Sequence, residues 1–496
     1  MHIKYEPQAL AKIETPALVT YAFENDNRIE GALGELDAAI GGRLKKIVEA
    51  GELTGKTLEM TMLHVHGPSG PARVLVVGAG KADKFDTAIL RRIAAASLRH
   101  LKARSVKTLV FALREGQLTA AAAQAVTEGL LLGAFDSDSY KSDKKASAAF
   151  ESAALAGFGA AQAEAEKGMA RGRVIAEAQN FARELVNEPS NKLTPRVLAD
   201  RAVAMARDAG LAVEILDEKR IAELKMGALL GVAQGSDEPP RVLVVTYTPA
   251  NARPGAPVLG LIGKAVTFDT GGISIKPAEG MEKMKYDMGG GGAMLGAMRA
   301  IAALKPAVKV ICVVPSVENM PGSRAQKPGD VVIAMSGKSI EVINTDAEGR
   351  LILADAITYA KQLGCTHLVD AATLTGAIVV ALANVNVGAF TNNQPLMDRL
   401  LASAKNAGEK IWPMPLDDEY SDFIKSNIAD IQNIGSGKGG GAITAAAFIR
   451  EFVGDTPWVH LDIAGTAWLD EGKPWSAKGP TGVPVRTMVD LAMNFQ

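Results

Sequence analysis

Short apolar runs alternate with longer amphipathic stretches along the first third of the chain. The short runs are rich in β-branched residues and predict strands, whereas the longer stretches repeat their apolar positions at helical spacing. The predicted strands are 17–22, 73–77 and 106–111, and the predicted helices are 36–50, 88–101 and 118–132. Such alternation is typical of an α/β fold. We therefore predict a smaller N-terminal α/β domain over residues 1–158.

A long helix is predicted to follow this domain. The segment 136–145 is rich in Asp, Ser and Lys and predicts a polar loop. After it, the Ala/Glu/Arg-rich stretch 160–186 predicts a long helix. Thr194 and Pro195 then supply a capping residue and a first-turn proline for the next helix. We assign 159–190 to a connecting helix between two domains.

The remainder of the chain repeats a strand-helix rhythm. Its predicted strands are 212–216, 241–247, 258–262, 308–314, 368–371 and 458–461. This rhythm predicts a larger C-terminal catalytic domain, residues 191–496, with a mainly parallel, twisted sheet flanked by helices. In such sheets functional sites collect at the carboxyl ends of the strands.

Asp346, Glu348 and Arg350 are spaced two residues apart in the run from Asn344 to Leu353. In an extended segment all three side chains leave from one face. A strand-like end before them and a helical pattern after them place the triplet at a strand-to-helix junction. Two adjacent carboxylates resist joint ionisation unless positive charge compensates them, and a bound metal could do so. The alternative is a solvated turn in which one carboxylate caps the helix.

A second acidic region contains carboxylates and lysines among glycines, in the segments 263–277 and 285–290. Together with the run 344–353, these motifs resemble those of the leucyl aminopeptidase family, also called cytosol aminopeptidases, which are dinuclear metallopeptidases. The similarity covers roughly the second two thirds of the chain. The run Gly289–Gly292 has more glycine than the resemblance leads us to expect, and we expect it to loosen the following helix.

The resemblance implies two divalent metal ions per subunit, Mn²⁺ or Zn²⁺, and a bicarbonate ion near Arg350. The implied metal ligands are Lys264, Asp269, Asp287, Asp346 and Glu348, and the implied catalytic residues are Lys276 and Arg350. The residues implied to shape the substrate pocket are Met284, Thr373, Leu374, Gly376 and Gly465. Asn344 lies beside the ligands, where it could orient one of them or contact the substrate backbone.

This resemblance implies an aminopeptidase that releases N-terminal, preferentially leucine-like, residues from peptides. Two ions held by clustered carboxylates lie roughly 3.5 to 4 Å apart and make a bridging water usable as a hydroxide near neutral pH. Lys264 coordinates a metal only as a neutral amine, which burial and neighbouring dications favour. A two-metal phosphoesterase is the nearest enzymatic alternative, although such sites usually add histidine or asparagine ligands.

Composition bears on the partners, the location and the cysteine chemistry of the protein. The 496 residues carry 54 Lys plus Arg and 55 Asp plus Glu, so no overall charge attracts nucleic acid, although a DNA-binding surface stays open. Neither a signal sequence nor a long apolar span is evident, which predicts a cytoplasmic protein with no membrane partner. Cys312 and Cys365 lie in apolar sequence, so we expect free core thiols. The resemblance further implies a homo-oligomer, namely a hexamer.

Overall fold

The computed structural model describes residues 1–25, 29–66, 70–142 and 149–495. They divide into two units, Met1–Glu177 with Asp470–Lys478, and Ala178–Leu469 with Gly479–Gln496. Of the predicted polar loop 136–145, the last three residues lie outside the described residues. The domain boundaries placed at 158 and 190 stay predictions. Within the described residues, no helix is long and apolar enough to cross a membrane.

The first unit contains a six-stranded sheet. Its strands are β1 His2–Glu6, β2 Leu18–Ala22, β3 Met60–His64, β4 Arg73–Gly78, β5 Thr108–Ala112 and β6 Ser152–Ala156. Their order is β1-β6-β5-β2-β4-β3, and every neighbouring pair is parallel except β3 with β4. The apolar runs predicted as strands form β2, β4 and β5, which are almost wholly buried. Strands β1 and β6 were not predicted, and they pair with each other beside β5.

The helices of the first unit follow its amphipathic stretches. They are α1 Gly31–Ala39, α2 Arg43–Glu49, α3 Thr87–Lys102, α4 Ala120–Gly133 and α5 Gln162–Asn187, which continues into the second unit. Asp86 caps α3 by accepting a hydrogen bond from the Ile89 amide at 2.8 Å. The single helix predicted for 36–50 is wrong, because Gly41 and Gly42 adopt φ of 75° and 71° and end the helical path between α1 and α2.

The second unit is built on a nine-stranded sheet. The strands of this unit are β7 Ala212–Leu216, β8 Arg241–Tyr247, β9 Val258–Gly263, β10 Ala265–Asp269, β11 Lys309–Asn319, β12 Val331–Ile333, β13 Ser339–Glu341, β14 His367–Ala372, β15 Val387–Thr391, β16 Ile411–Pro413, β17 Ile431–Gln432, β18 Trp458–Asp462, β19 Trp468–Leu469 and β20 Gly479–Pro480. The main order is β16-β15-β18-β14-β9-β11-β8-β7, with β10 paired to β11. Parallel pairing joins β18, β14, β9 and β11, whereas β8 and β15 join antiparallel. The α/β prediction is confirmed, and the sheet is mixed with a parallel centre.

Helices and two 3₁₀ segments, Met281–Met288 and Asp418–Ile424, complete the described part of the second unit. The helices are α6 Pro195–Ala209, α7 Glu218–Glu223, α8 Gly227–Ala233, α9 Gly289–Leu304, α10 Glu348–Gln362, α11 Gly376–Leu382, α12 Gln394–Ala407, α13 Gly441–Val453 and α14 Val485–Met493. The 3₁₀ segment Met281–Met288 leads directly into α9. Both α9 and α10 pack on β9 and β11, so the parallel centre of the sheet is buried. Cys312 and Cys365 are free and buried, as the sequence predicted.

The glycine run at the start of α9 reflects close packing. The helix is continuous from Gly289 to Leu304 and shows no break in its first turn, contrary to the expected loosening. A Cβ at Gly290 would lie 1.9 Å from the Ala371 carbonyl oxygen, which belongs to β14. Only glycine therefore lets the first turn of α9 lie this close to the strand.

We expect Gly290→Ala to destabilise the protein, because the new methyl group would collide with the β14 backbone. The expected loss is about 2 kcal/mol, measured as a lower midpoint of urea unfolding. Gly289→Ala is the matched control, since its Cβ would make an ordinary 3.4 Å contact with the Ala467 Cβ. Equal midpoints for the two variants would contradict this explanation.

Candidate metal centre

The charged triplet lies in a turn followed by a helix. Asp346 precedes α10, Glu348 is the first residue of that helix, and Arg350 lies in its first turn. The extended geometry predicted for the three residues is wrong. The Asn344 side chain accepts a hydrogen bond from the Asp346 amide at 2.8 Å, and the Thr345 hydroxyl donates to the Gly271 carbonyl at 2.6 Å. These two bonds fold the segment into a turn.

Asp269 ends β10, at the carboxyl end of a strand as expected. Its Oδ1 accepts hydrogen bonds from the Gly271 amide and from the Asn319 side chain, both at 2.8 Å. Its Oδ2 lies 2.7 Å from the Lys276 Nζ, and the same ammonium group contacts the Asp346 carboxylate. The amides therefore fix one Asp269 oxygen, and the second oxygen faces the charged cluster.

Three carboxylates converge from two distant segments. Asp269, Asp346 and Glu348 each offer one oxygen, and these oxygens lie within 4.8 Å of one another. Asp269 and Glu348 are almost wholly buried. Burial, followed by repulsion from Asp269, raises the pKa of both Asp346 and Glu348. Without a bound cation, the charged forms of these two carboxylates are therefore disfavoured.

Lys264 joins a fourth carboxylate to the cluster. Its Nζ lies 2.8 Å from the Asp287 Oδ2 and 2.7 Å from the Glu348 Oε1, and it donates to the Thr373 carbonyl at 3.0 Å. Burial lowers the pKa of Lys264, but the surrounding carboxylates outweigh burial and raise it above the ordinary value. Because these charges favour the ammonium form, the neutral amine predicted from the sequence requires additional positive charge in the pocket. Gly349 makes room for this side chain, since a Cβ there would lie 2.8 Å from the Lys264 Nζ.

Arg350 is buried beside this cluster. Its Nη1 donates to the Asn433 carbonyl at 2.7 Å. Burial lowers the pKa of Arg350 to about 10, while the nearby Glu348 and Asp462 carboxylates act in the opposite direction. The guanidinium therefore remains a cation at neutral pH. Its Nε has no hydrogen-bond partner within the described part of the protein, so this donor is available to an anion.

The residues predicted to shape a substrate pocket lie on different elements, and Thr373 contacts the cluster directly. Thr373 is in direct contact, since its hydroxyl donates to the Asp287 Oδ1 at 2.7 Å. Met284 lies on the same 3₁₀ segment as Asp287. Leu374 follows Thr373, Gly376 begins α11, and Gly465 lies in the loop after β18. A Cβ at Gly465 would lie 2.2 Å from a backbone oxygen of the neighbouring loop.

Two asparagines in the site were missed by the sequence reasoning. Asn319 ends β11 and donates to both the Asp269 Oδ1 and the Thr345 carbonyl. The Asn433 side chain accepts from the Ile343 amide at 2.8 Å and donates to the Asn344 carbonyl at 2.7 Å. Both hold in place the turn that carries Asp346 and Glu348. A single asparagine in a loop or at a strand end carries no sequence signal that separates this role from an ordinary turn.

The donor set fits divalent cations. It combines carboxylate oxygens with one amine, and oxygen-rich sets suit hard ions such as Mn²⁺. The Glu348 Oε2 is buried and has no hydrogen-bond partner among the described residues. An unpaired buried carboxylate oxygen is costly, and a bound cation satisfies it. The side chains of the site are therefore suited to metal binding.

Comparison with known proteins gives a consistent family assignment. The model of the cytosol aminopeptidase family's catalytic domain matches residues 180–489, and the model of its N-terminal domain matches residues 19–144. A probable cytosol aminopeptidase of Solibacter usitatus is 57% identical to this chain, with 100% of both chains covered. A probable cytosol aminopeptidase of Koribacter versatilis is 49% identical, with 98% of both covered.

Solved structures agree with this assignment. A mutant of tomato leucine aminopeptidase superposes with a TM-score of 0.89 at 34% identity, covering 99% of this chain and 96% of the other. The bottromycin maturation enzyme BotP, solved in complex with Mn, superposes with a TM-score of 0.84 at 33% identity, covering 97% and 99%. The chain therefore belongs to the cytosol aminopeptidase family and is a peptidase hydrolase.

Proposed function

We propose that this protein is a dinuclear metal-dependent aminopeptidase that releases N-terminal, preferentially leucine-like, residues from peptides. The observation that carries the proposal is the convergence of Asp269, Asp346 and Glu348, each with an oxygen within 4.8 Å of the others. Lys264 bridges Glu348 to Asp287 and so extends the same cluster. These five residues are proposed to hold two ions, Mn²⁺ or Zn²⁺.

When bound, two such ions supply a water of lowered pKa as nucleophile and a Lewis acid for the scissile carbonyl. Lys276 is proposed to donate a hydrogen bond to the oxyanion that develops on that carbonyl. Burial lowers the pKa of Lys276, but Asp269 and the other carboxylates outweigh it and raise the pKa, which keeps the donor cationic. Arg350 is proposed to hold a bicarbonate ion, which would supply a proton acceptor and donor at this position.

Capture of the peptide's free amine explains exopeptidase selectivity. Lys264 and Asp287 are proposed to hold an ion that would bind the neutral α-amino group of a peptide's first residue, whereas an internal peptide bond presents no free amine. Met284 and Leu374 are proposed to contact the side chain of that first residue. An apolar pocket distinguishes side chains by only about 1 to 3 kcal/mol per methylene, so we expect a broad preference centred on leucine.

The assembly and location of the protein are proposed from its relatives. The curated relatives are named cytosol aminopeptidases, and we propose a cytoplasmic location for this protein as well. We also propose a homo-oligomer, namely a hexamer, on the strength of the motif resemblance. Sedimentation or mass photometry of the purified chain measures this assembly directly.

Hydrolysis of leucine p-nitroanilide tests the proposed activity. We expect chelation to reduce the rate at least about 100-fold and added Mn²⁺ or Zn²⁺ to restore it, because both nucleophile and Lewis acid depend on metal. N-acetyl-leucine p-nitroanilide is the matched control and should resist cleavage, since acetylation turns the α-amine into an amide that is a poor metal ligand. Cleavage of p-nitrophenyl phosphate without cleavage of the anilide would instead support a phosphoesterase.

A further inference from the structure

Asp462 is a buried carboxylate to which the proposed mechanism gives no role. It ends β18 and pairs in register with Ala372, the last residue of the parallel strand β14. Only 1% of its surface is exposed. A carboxylate this deeply buried destabilises the folded state unless its oxygens are hydrogen-bonded.

The hydrogen bonds of Asp462 organise the turn that connects β14 to α11. Its Oδ1 accepts from the amides of Leu374 and Thr375, at 3.1 and 3.4 Å, and from the Ala464 amide at 3.2 Å. Its Oδ2 accepts from the Thr375 hydroxyl at 2.6 Å. One carboxylate therefore serves four donors, and two of the three backbone amides belong to the turn. Charge-assisted bonds of this kind are stronger than neutral ones.

The same turn contacts two of the proposed metal ligands. Thr373 precedes the residues held by Asp462, and its carbonyl accepts from the Lys264 Nζ at 3.0 Å. Its hydroxyl donates to the Asp287 Oδ1 at 2.7 Å. The position of Thr373 thus sets both where the Lys264 amine points and which Asp287 oxygen remains available.

The strand that carries Asp462 is itself firmly held. Asp370 on β14 and His460 on β18 are register partners, and their side chains are joined by a 2.6 Å contact between Oδ1 and Nδ1. The Trp458 indole donates to the other Asp370 oxygen at 2.6 Å. These three side chains are fully buried. Asp462 therefore projects from a rigid pair of strands, as a group that positions others requires.

We propose that Asp462 is a positioning residue for the Lys264 and Asp287 side of the metal centre. It acts through the Thr373–Thr375 turn and touches neither ligand itself. The proposal rests on the dinuclear function proposed above. Groups that hold metal ligands in place typically contribute 10- to 100-fold in metal affinity, and the contacts of Asp462 place that effect at one of the two ions.

Titration of the metal-free protein with Mn²⁺ by calorimetry tests the proposal without relying on activity. For Asp462→Ala we expect one of the two ions to bind about 10- to 100-fold more weakly, and the other to change by less than about threefold. Asp355→Ala is the matched control. Asp355 is also buried and accepts from two backbone amides, those of Leu229 and Met335, at 2.8 and 2.7 Å. We expect it to lose stability but to keep parental affinity for both ions.

A second pair of variants tests the proposal if Asp462→Ala does not fold. Thr375→Val removes the hydroxyl, which donates to Asp462 and accepts from the Ile378 amide at 3.1 Å, and keeps the buried carboxylate. Thr375→Ser keeps the hydroxyl and both of these bonds. We expect the valine variant to weaken the same ion about three- to tenfold, less than Asp462→Ala because the backbone amides of the turn keep their carboxylate acceptor. We expect the serine variant to match the parent.

The outcomes separate this proposal from the function on which it rests. If the parent binds fewer than two ions, the dinuclear function and the role of Asp462 both fail. If the parent binds two ions and the Asp462→Ala and Thr375→Val variants bind them equally well, only the role of Asp462 fails. Equal weakening of both ions in these variants would also overturn it, because a general loss of structure would then explain the effect.

Discussion

Replacing Glu348 with glutamine is expected to lower the bound Mn²⁺ below two ions per chain and to reduce kcat/KM for leucine p-nitroanilide on the order of 10³-fold or more. The position of the Glu348 side chain is the reason for this expectation. Its Oε1 lies 2.7 Å from the Lys264 Nζ, and one of its oxygens also lies within 4.8 Å of Asp269 and Asp346 oxygens. The neutral amide of glutamine removes the negative charge with which Glu348 would bind a cation.

The same substitution should not destabilise the folded, metal-free protein. Burial and the neighbouring Asp269 raise the pKa of Glu348, so its charged form is disfavoured within the metal-free protein. Glutamine has the same shape and removes this repulsion. We therefore expect the melting temperature in a chelator to be equal to or above that of the parent, while metal binding and activity fall.

Glu409→Gln provides a matched control for this prediction. Glu409 is another glutamate of the second unit whose side chain is only 4% exposed, and it accepts from the Thr487 amide and hydroxyl. It also lies 3.5 Å from the Arg486 guanidinium, so its charge is compensated. We expect this variant to lose stability and to keep both ions. Full metal content and normal turnover in Glu348→Gln would contradict the proposed ligand role.

Burial explains which parts of the fold could be predicted from the sequence. Strands β7 and β8 begin and end at the predicted residues, and β9 and β18 extend one residue further. The apolar runs of β8, β9 and β18 are almost wholly buried in the sheet, as continuous apolar strands require. Strand β7 is instead a partly exposed edge strand, in which Val213 and Ile215 alternate with exposed residues. The break between α1 and α2 was missed because two glycines with positive φ interrupt an otherwise helical apolar pattern.

The site was harder to predict than the sheet because its geometry depends on distant contacts. The charged residues were found from the motifs, but the turn that carries them was taken as extended. Thr345 and Asn344 fold that turn through bonds to Gly271 and Asn433, 74 and 89 residues away in the chain. Local periodicity contains no information about such pairs.

Lys276→Met is expected to separate metal binding from catalysis. The Lys276 ammonium contacts both Asp269 and Asp346, yet its side chain is 21% exposed, compared with 3% for Lys264. This difference places Lys276 where a substrate carbonyl can approach. We expect kcat to fall about 10²- to 10³-fold with little change in KM, as is usual when a donor to an oxyanion is removed.

Metal content distinguishes an oxyanion donor from a lysine that serves only to neutralise the carboxylates of the site. Because Lys276 neutralises carboxylates that are proposed to bind metal, its removal leaves their affinity for cations unchanged or higher. Two ions per Lys276→Met chain, together with slow turnover, are therefore the expected result. Lys361→Met is the matched control, since Lys361 donates to the carbonyls of Phe452 and Val453, away from the charged cluster. If Lys276→Met instead loses its ions, Lys276 serves the structure of the ligand cluster and the oxyanion donor must be another group.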